Sequence, residues 1–387
     1  MVSALLSAVV IGSTTPAVAA APAPQAPKAT PTPEPALPGQ GPDGVPVGGP
    51  RMGGVGIQLP PGAPKLPEDI SAHGWVVADL DTGQVLAARN AHGRYPPAST
   101  LKWLTAVTLL PQLTARSRKV TVTDADVNVD GTRVGLVAHG HYTVDLLFQS
   151  MLMASGNDAA NALARVAGSV PHTVAAMNAK AEELQAHDTH AATPSGLDGP
   201  KQLTSAYDLA LIARAGLARA DFRKYTAQTR GRIPAQSSRY RAFEFANDNK
   251  LLYNYPGAFG GKNGFTDAAH HSFIGAAKRG NRRLIVTFMY GEHKPDNISL
   301  QAGRMLDWGF SLPRTLAPVG TLVSPPVPGA TPSPTPGVSA TPAPAAAAVT
   351  QDATGGGSDR PVLLPGGGVI ALLLLGWGGF AVLRRRA

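Results

Sequence analysis

Proline crowds into two stretches of this chain, residues 22–65 and 314–361, where it is interspersed with Ala, Thr and Gly. Such segments bury too little apolar area to offset the entropy of ordering a backbone, so both read as extended linkers. Of 387 residues, one folded unit is therefore expected over 66–313, still ample for a real core. The absence of cysteine removes disulfide frameworks, cysteine zinc sites and thiol catalysis. A net charge of +9 suits a polyanionic neighbour, although a merely solvated basic domain is the better account of charge alone. No aromatic-interleaved Lys/Arg stripe or zinc-finger spacing is present, and no nucleic-acid partner is expected.

The two ends carry address information. Residues 1–21 join a short apolar run to Ala17-Val18-Ala19 and Ala19-Ala20-Ala21, small residues of the kind a signal peptidase accepts. No Lys or Arg precedes the run. At the other end, residues 362–383 are apolar and uncharged, long enough to cross a hydrocarbon core as a helix. Arg384, Arg385 and Arg386 follow within the 384–387 tail and would stay on the cytoplasmic side, placing the folded unit outside. The expectation is a single-pass cell-membrane protein with an extracellular domain.

Within the folded unit, Gly74 to Leu80 is β-rich, Asp81-Thr82-Gly83 supplies a turn, and Gln84 to Ala88 reads as the hairpin partner. A helical pattern begins at Ser99 and ends near Pro111. Thr143 is placed to cap a helix over Val144 to Met153, Asp158 to Ala167 reads as another, and Thr204 or Ser205 caps a fourth reaching Leu217. Strand periods return at Ala269 to Ala277 and Arg283 to Tyr290, before a last helix over Ile298 to Phe310. This order predicts an α/β sandwich: an antiparallel sheet flanked by helices, with an all-α subregion between its strands.

Three short motifs occur in order: Ser99-Thr100-Leu101-Lys102 at a helix start, Ser155-Gly156-Asn157 after a helix, and Lys262-Asn263-Gly264 before a strand. A pattern with two fixed positions arises by chance on the order of once in such a chain, so order and setting carry the signal. A serine at a helix start lies beside unpaired backbone N–H groups. Lys102 is one turn further on, within reach of the Ser99 hydroxyl. Burial beside a second cation, for which Lys262 is the candidate, would lower its pKa and free it to act as a base. The bland alternatives are an N-cap serine, a helix-terminating turn and a hairpin turn.

The chain resembles the penicillin-binding D-alanyl-D-alanine carboxypeptidases of low molecular mass, whose fold is that of the serine β-lactamases. The likeness spans Trp75 to Phe310 and includes Arg94 to Lys102, Ala154 to Ala160, Pro194-Ser195-Gly196-Leu197-Asp198 and Gly261 to Ala269. It implies that Ser99 attacks the D-Ala–D-Ala carbonyl while Lys102 takes its proton. Ser155 and Lys262 would return a proton to the leaving amine, and Asn157 would bind the stem-peptide amide. The backbone N–H groups of Ser99 and Phe265, beside Gly264, would form the oxyanion hole. Peptidoglycan stem peptides are then the substrate, β-lactams are covalent inhibitors, and no cofactor or metal is needed. Asn263 stands where the family carries Thr; its amide still donates to a carboxylate, though in a different geometry.

His139, His141, His270 and His271 read as surface or strand-edge residues; the last two, adjacent on a strand, point opposite ways. Asp124, Asp126, Asn128, Asp130 and Gly131 lack the closing Glu of a calcium loop. Asp198 and Asp267 read equally as turn residues. A class A β-lactamase would need a deacylating glutamate, and Glu182, Glu183 and Glu244 lack its setting. A DD-endopeptidase cutting cross-links and a non-hydrolytic penicillin sensor remain as alternatives.

Overall fold

The computed structural model describes residues 39–41 and 44–325. The signal-peptide, membrane-span and tail assignments (1–21, 362–383, 384–387) fall outside these residues, as does most of both linkers. No helix among the described residues is long and apolar enough to cross a membrane.

The chain enters through a 3-10 turn, Pro50–Gly53, and β1 (Ile57–Gln58), then forms the hairpin of β2 (Gly74–Asp79) and β3 (Gln84–Arg89). The helical subregion follows: α1 (Lys102–Leu109), α2 (Asp124–Val127), α3 (Val144–Met153), α4 (Asn157–Val166), α5 (Val170–Glu183), α6 (Ala206–Ala218) and α7 (Ala220–Ala227). Two short hairpins accompany it, β4 (Lys119–Thr121) with β5 (His141–Thr143), and β6 (Arg230–Ile233) with β7 (Phe243–Ala246). The chain returns through α8 (Leu251–Asn254), β8 (Ala258–Thr266), β9 (His270–Arg279), β10 (Arg282–Gly291), α9 (Ile298–Ser311) and β11 (Gly320–Thr321). The main sheet is antiparallel in the order β1-β3-β2-β10-β9-β8, with β11 also on β3.

Alternation along the strands explains the layers. Val76, Ala78, Ile274, Ala276 and Ile285 face α1 and α6, whereas Trp75, Val77, Phe273, Leu284 and Val286 face Ala302, Met305 and Leu306 of α9. Covered on both sides, β2 is buried at every position. The expected sandwich with an all-α subregion is what forms. Thr143 caps α3 by accepting from the Leu146 N–H, and Ser205 caps α6.

The linker boundaries require correction, because 44–65 and 314–325 belong to the folded unit. Val47, Met52, Val319 and Leu322 sit in the core. β1 and β11 pair with opposite ends of β3, and the Thr321 N–H donates to the Gly48 carbonyl. Sparse apolar residues among prolines suffice here because Val47, Met52, Val319 and Leu322 pack into the same core as the sheet. A buried group fastens this strap. His92 contacts the Val47 carbonyl at 3.0 Å and Asp188 Oδ2 at 2.6 Å, and Arg94 donates to Asp188 Oδ1. Removing Val47 and Met52 by starting the chain at Leu66 is expected to lower stability by about 3–6 kcal/mol, from about 1.5–3 per buried side chain. Urea unfolding against a chain starting at Gly39 checks this.

Candidate active site

Ser99 sits inside a 3-10 turn, Ala98–Leu101, that runs into α1, rather than opening an α-helix directly. Pro97 precedes the turn, and Ala98 holds a left-handed φ of 46°. Strain of this kind persists only where the surroundings enforce it. They do: Ser272 Oγ and Thr100 Oγ1 both donate to the Pro97 carbonyl, at 2.6 Å each.

Lys102 Nζ lies 2.8 Å from Ser99 Oγ and donates to the Ser195 carbonyl at 2.6 Å. The side chain is wholly buried. Burial first, and the Lys262 charge second, hold its pKa well below the ordinary lysine value, with Asp158 opposing. Lys262, also buried, is lowered to about 8 by desolvation, against which Asp248 acts. Lys262 Nζ donates to the Asn263 carbonyl at 2.7 Å, with Asn263 Oδ1 at 3.5 Å.

Ser155 follows α3 with a left-handed φ of 58° and is buried. Asn157 begins α4, its Nδ2 donating to the Asp130 carbonyl at 2.7 Å while its buried Oδ1 has no partner. An orphaned buried acceptor costs roughly 1–3 kcal/mol, so this oxygen is poised for an incoming donor. Next to it, Asp158 takes the N–H groups of Val134, Gly135 and Leu136 and so fixes the loop above α4.

β8 is the edge of the sheet and runs alongside Ser99. A Cβ on Gly264 would lie 2.7 Å from the Ser99 nitrogen, so only glycine permits this approach. Phe265 is 57% exposed, its ring packed on His271. The first and third motifs thus meet at Ser99, and the second comes near enough for the Asp158 charge to act on Lys102.

Two contributors were not legible as site residues. The Ser195 carbonyl orients Lys102, and Thr105 Oγ1 holds the same loop by donating to the Pro194 carbonyl at 2.7 Å. Gly196, with φ of 84°, lets that loop pass where a Cβ would meet the Ala98 carbonyl oxygen at 2.0 Å. The Pro194–Asp198 signature marked the segment but not its role. Asp198 accepts from Thr266 Oγ1 at 2.9 Å, joining the loop to β8.

Of the histidines weighed for metal, His139 pairs with Asp124, His141 with Thr121 and His270 with Glu292, while His271 packs on the Phe265 ring and stacks on His293. Among the described residues, potential ligand atoms do gather at His92, Asp188 and Asp208. Both His92 nitrogens and Asp188 are already engaged in fastening the strap, and Arg94 adds a compensating charge. The short α2 over Asp124–Val127 occupies the acidic stretch, with Asp126 held by Arg165.

A family profile described as D-alanyl-D-alanine carboxypeptidase matches residues 61–292. The chain is 44% identical over 267 residues to D-alanyl-D-alanine carboxypeptidase DacB2 of Mycobacterium tuberculosis, covering 68% of this chain and 90% of that protein. It is 32% identical over 241 residues to D-alanyl-D-alanine carboxypeptidase DacF of Bacillus subtilis, covering 61% of each. A crystal structure of a D-alanyl-D-alanine carboxypeptidase from M. tuberculosis superposes with a TM-score of 0.65 at 42% identity, over 68% of this chain and 99% of that one. A Streptomyces DD-transpeptidase superposes at 0.61 and 28% identity, over 64% of this chain and all of that one.

Proposed function

The chain belongs to the D-alanyl-D-alanine carboxypeptidase family of serine peptidases, and from that premise we propose that Ser99 is the acylated nucleophile and Lys102 its base. The enzyme removes the terminal D-Ala from peptidoglycan stem peptides, and β-lactams acylate the same site. The observation that carries the assignment is a buried Lys102 amine 2.8 Å from Ser99 Oγ, its pKa held down by desolvation and Lys262.

The neutral Lys102 takes the Ser99 proton as Oγ bonds to the penultimate D-Ala carbonyl carbon. The resulting oxyanion is received by the Ser99 and Phe265 N–H groups. Collapse breaks the C–N bond; the proton held by Lys102 passes through Ser155, backed by Lys262, to the departing D-Ala amine, which leaves Lys102 neutral again. Water then attacks the ester, giving up a proton to Lys102 and restoring Ser99. Lys262 and Asn263 face the substrate carboxylate. Asn157, whose Nδ2 is committed to Asp130, uses Oδ1 to accept a substrate N–H. The domain works outside the cell, tethered through residues 362–383.

The test is to incubate residues 39–325 with a stem pentapeptide and measure free D-Ala, which is expected at one per peptide. Penicillin labelling without D-Ala release would instead indicate a sensor, and release from cross-linked dimers alone an endopeptidase.

A pH profile follows from the two lysines. Acylation needs Lys102 neutral, so its rate rises with pH through that depressed pKa. It needs Lys262 charged, so it falls as pH passes about 8. Lys262→Met removes that alkaline limb. It also moves the acid limb upward, because Lys102 loses the cation that helped depress it. An unchanged acid limb in kcat/KM would separate the two lysines.

A further inference from the structure

The end of the sheet opposite Ser99 is a second charged feature. β9 and β10 turn there through Lys278-Arg279-Gly280-Asn281-Arg282-Arg283, beside the β2–β3 turn, where the Leu80 N–H donates to the Arg283 carbonyl at 2.9 Å. Part of this charge is internally balanced: Arg279 pairs with Asp307, Arg282 with Asp79 and Arg283 with Asp81. Arg214, Arg223, Lys278 and Arg314 have no carboxylate within ion-pair distance among the described residues. Three of these four are nonetheless held in place by neutral acceptors. Arg214 donates to the Leu322 carbonyl, Arg223 to those of Leu217 and Ala218, and Arg314 to Asn281 Oδ1. None of the four forms an ion pair among the described residues, although Arg314 lies near enough to help lower the Asp81 carboxyl.

A cavity of about 620 Å³ opens on this face, lined by Arg223, Lys278 and Arg283 around Phe259 and Ala227. No carboxylate lines it. Cations around an aromatic floor suit an anion with an apolar portion, such as a phosphate ester of a glycerolipid. The outgoing chain reaches the same end: β11 pairs with Val85 and Gln84, and the Leu322 N–H donates to the Gly83 carbonyl. From Pro325 the sequence continues through the proline-rich linker to the apolar run at 362–383.

We propose that this basic end face docks on an acidic phospholipid surface. Lys278, Arg223 and Arg314 engage headgroup phosphates, and the Phe259 cavity receives the apolar shoulder of one lipid. Ser99, level with Ser272 on β9, then stands about 20 Å further out, at roughly 3.4 Å per strand residue, directed toward the wall. The choice of lipid as partner rests on the membrane-tether reading. The docking charge does not.

The test uses residues 39–325, since the M. tuberculosis structure that superposes on this part comprises little else. Co-sedimentation is measured with phosphatidylcholine vesicles, with and without phosphatidylglycerol. Binding is expected only with the acidic lipid and is expected to weaken with salt. Lys278→Glu with Arg314→Glu weakens it at least about tenfold, since each basic residue near such a surface counts separately. Penicillin labelling of Ser99 stays unchanged, reporting an intact fold. Arg133→Glu with Lys201→Glu, on exposed loops near the cleft, leaves vesicle binding as it was. Equal loss in that control reduces the effect to overall charge and overturns the proposal. So does absence of binding at low salt, or binding to purified wall polymer but not to vesicles. The tested part lacks 362–383, so its failure leaves the tether standing; that is read from whether the full chain partitions into phosphatidylcholine alone.

Discussion

Ser99→Ala is expected to abolish both covalent penicillin labelling and D-Ala release, and Lys102→Ala, which leaves the hydroxyl in place, to slow labelling by about 10²–10⁴-fold. The second result is the more informative. An ammonium carries three donors, yet around Lys102 Nζ the acceptors in contact are Ser99 Oγ and the Ser195 carbonyl. With Lys262 nearby, the charged form is poorly supported and the neutral amine favoured. One N–H is then spent on Ser195, which turns the lone pair toward the Ser99 hydroxyl. Lys102→Met fills most of the volume without the nitrogen and is expected to be as slow as Lys102→Ala. Lys102→Arg keeps a cation that cannot deprotonate and should rescue nothing. Thermal unfolding of the three variants separates packing loss from chemistry. Normal labelling in Lys102→Met would remove Lys102 as the base.

Legibility in the sequence followed the kind of group that carries each role. Ser99, Lys102, Ser155, Asn157 and Lys262 are side chains in recognisable spacing, and the fold sets Lys102 against Ser99 with the Lys262 charge close by. The Ser195 carbonyl is a backbone atom that every residue type possesses, so no letter at that position could announce it. Helix α3 was readable because Thr143 caps it and apolar residues keep one period. Helix α5 was not assigned from the sequence, and Pro171 lies within its first turn. At the first turn a proline's missing N–H has no intrahelical partner to lose, and Ser169 supplies the cap. The strap was hidden by composition: its prolines are real, but Val47 and Met52 are enough to dock it on an edge that only the assembled sheet creates. Likewise Asn157 was assigned to the substrate, but that its free atom is the acceptor Oδ1 depends on the Asp130 carbonyl 27 residues away.

Gly264→Ala is expected to lower the acylation rate by about 10²–10³-fold, the loss that follows when an oxyanion donor is removed. The added methyl would meet Ser272 Oγ at 2.5 Å, the Ser99 nitrogen at 2.7 Å and Ala98 Cβ at 2.9 Å. A hydroxyl can rotate away, but the Ser99 nitrogen cannot retreat without carrying the nucleophile with it. Ala98 is already in a left-handed conformation and has little room to adjust. β8 must therefore shift outward, pulling the Phe265 N–H out of register with that of Ser99. Overpacking of this kind also destabilises by about 1–3 kcal/mol. Gly260→Ala, on the same strand, meets Thr226 Oγ1 at 3.0 Å, a side-chain contact far from Ser99, and should acylate nearly normally. Adding Ser272→Ala to Gly264→Ala relieves the contact at 2.5 Å but not that with the Ser99 nitrogen. The labelling rate should then stay low, and full recovery of the rate would place the oxyanion donors elsewhere.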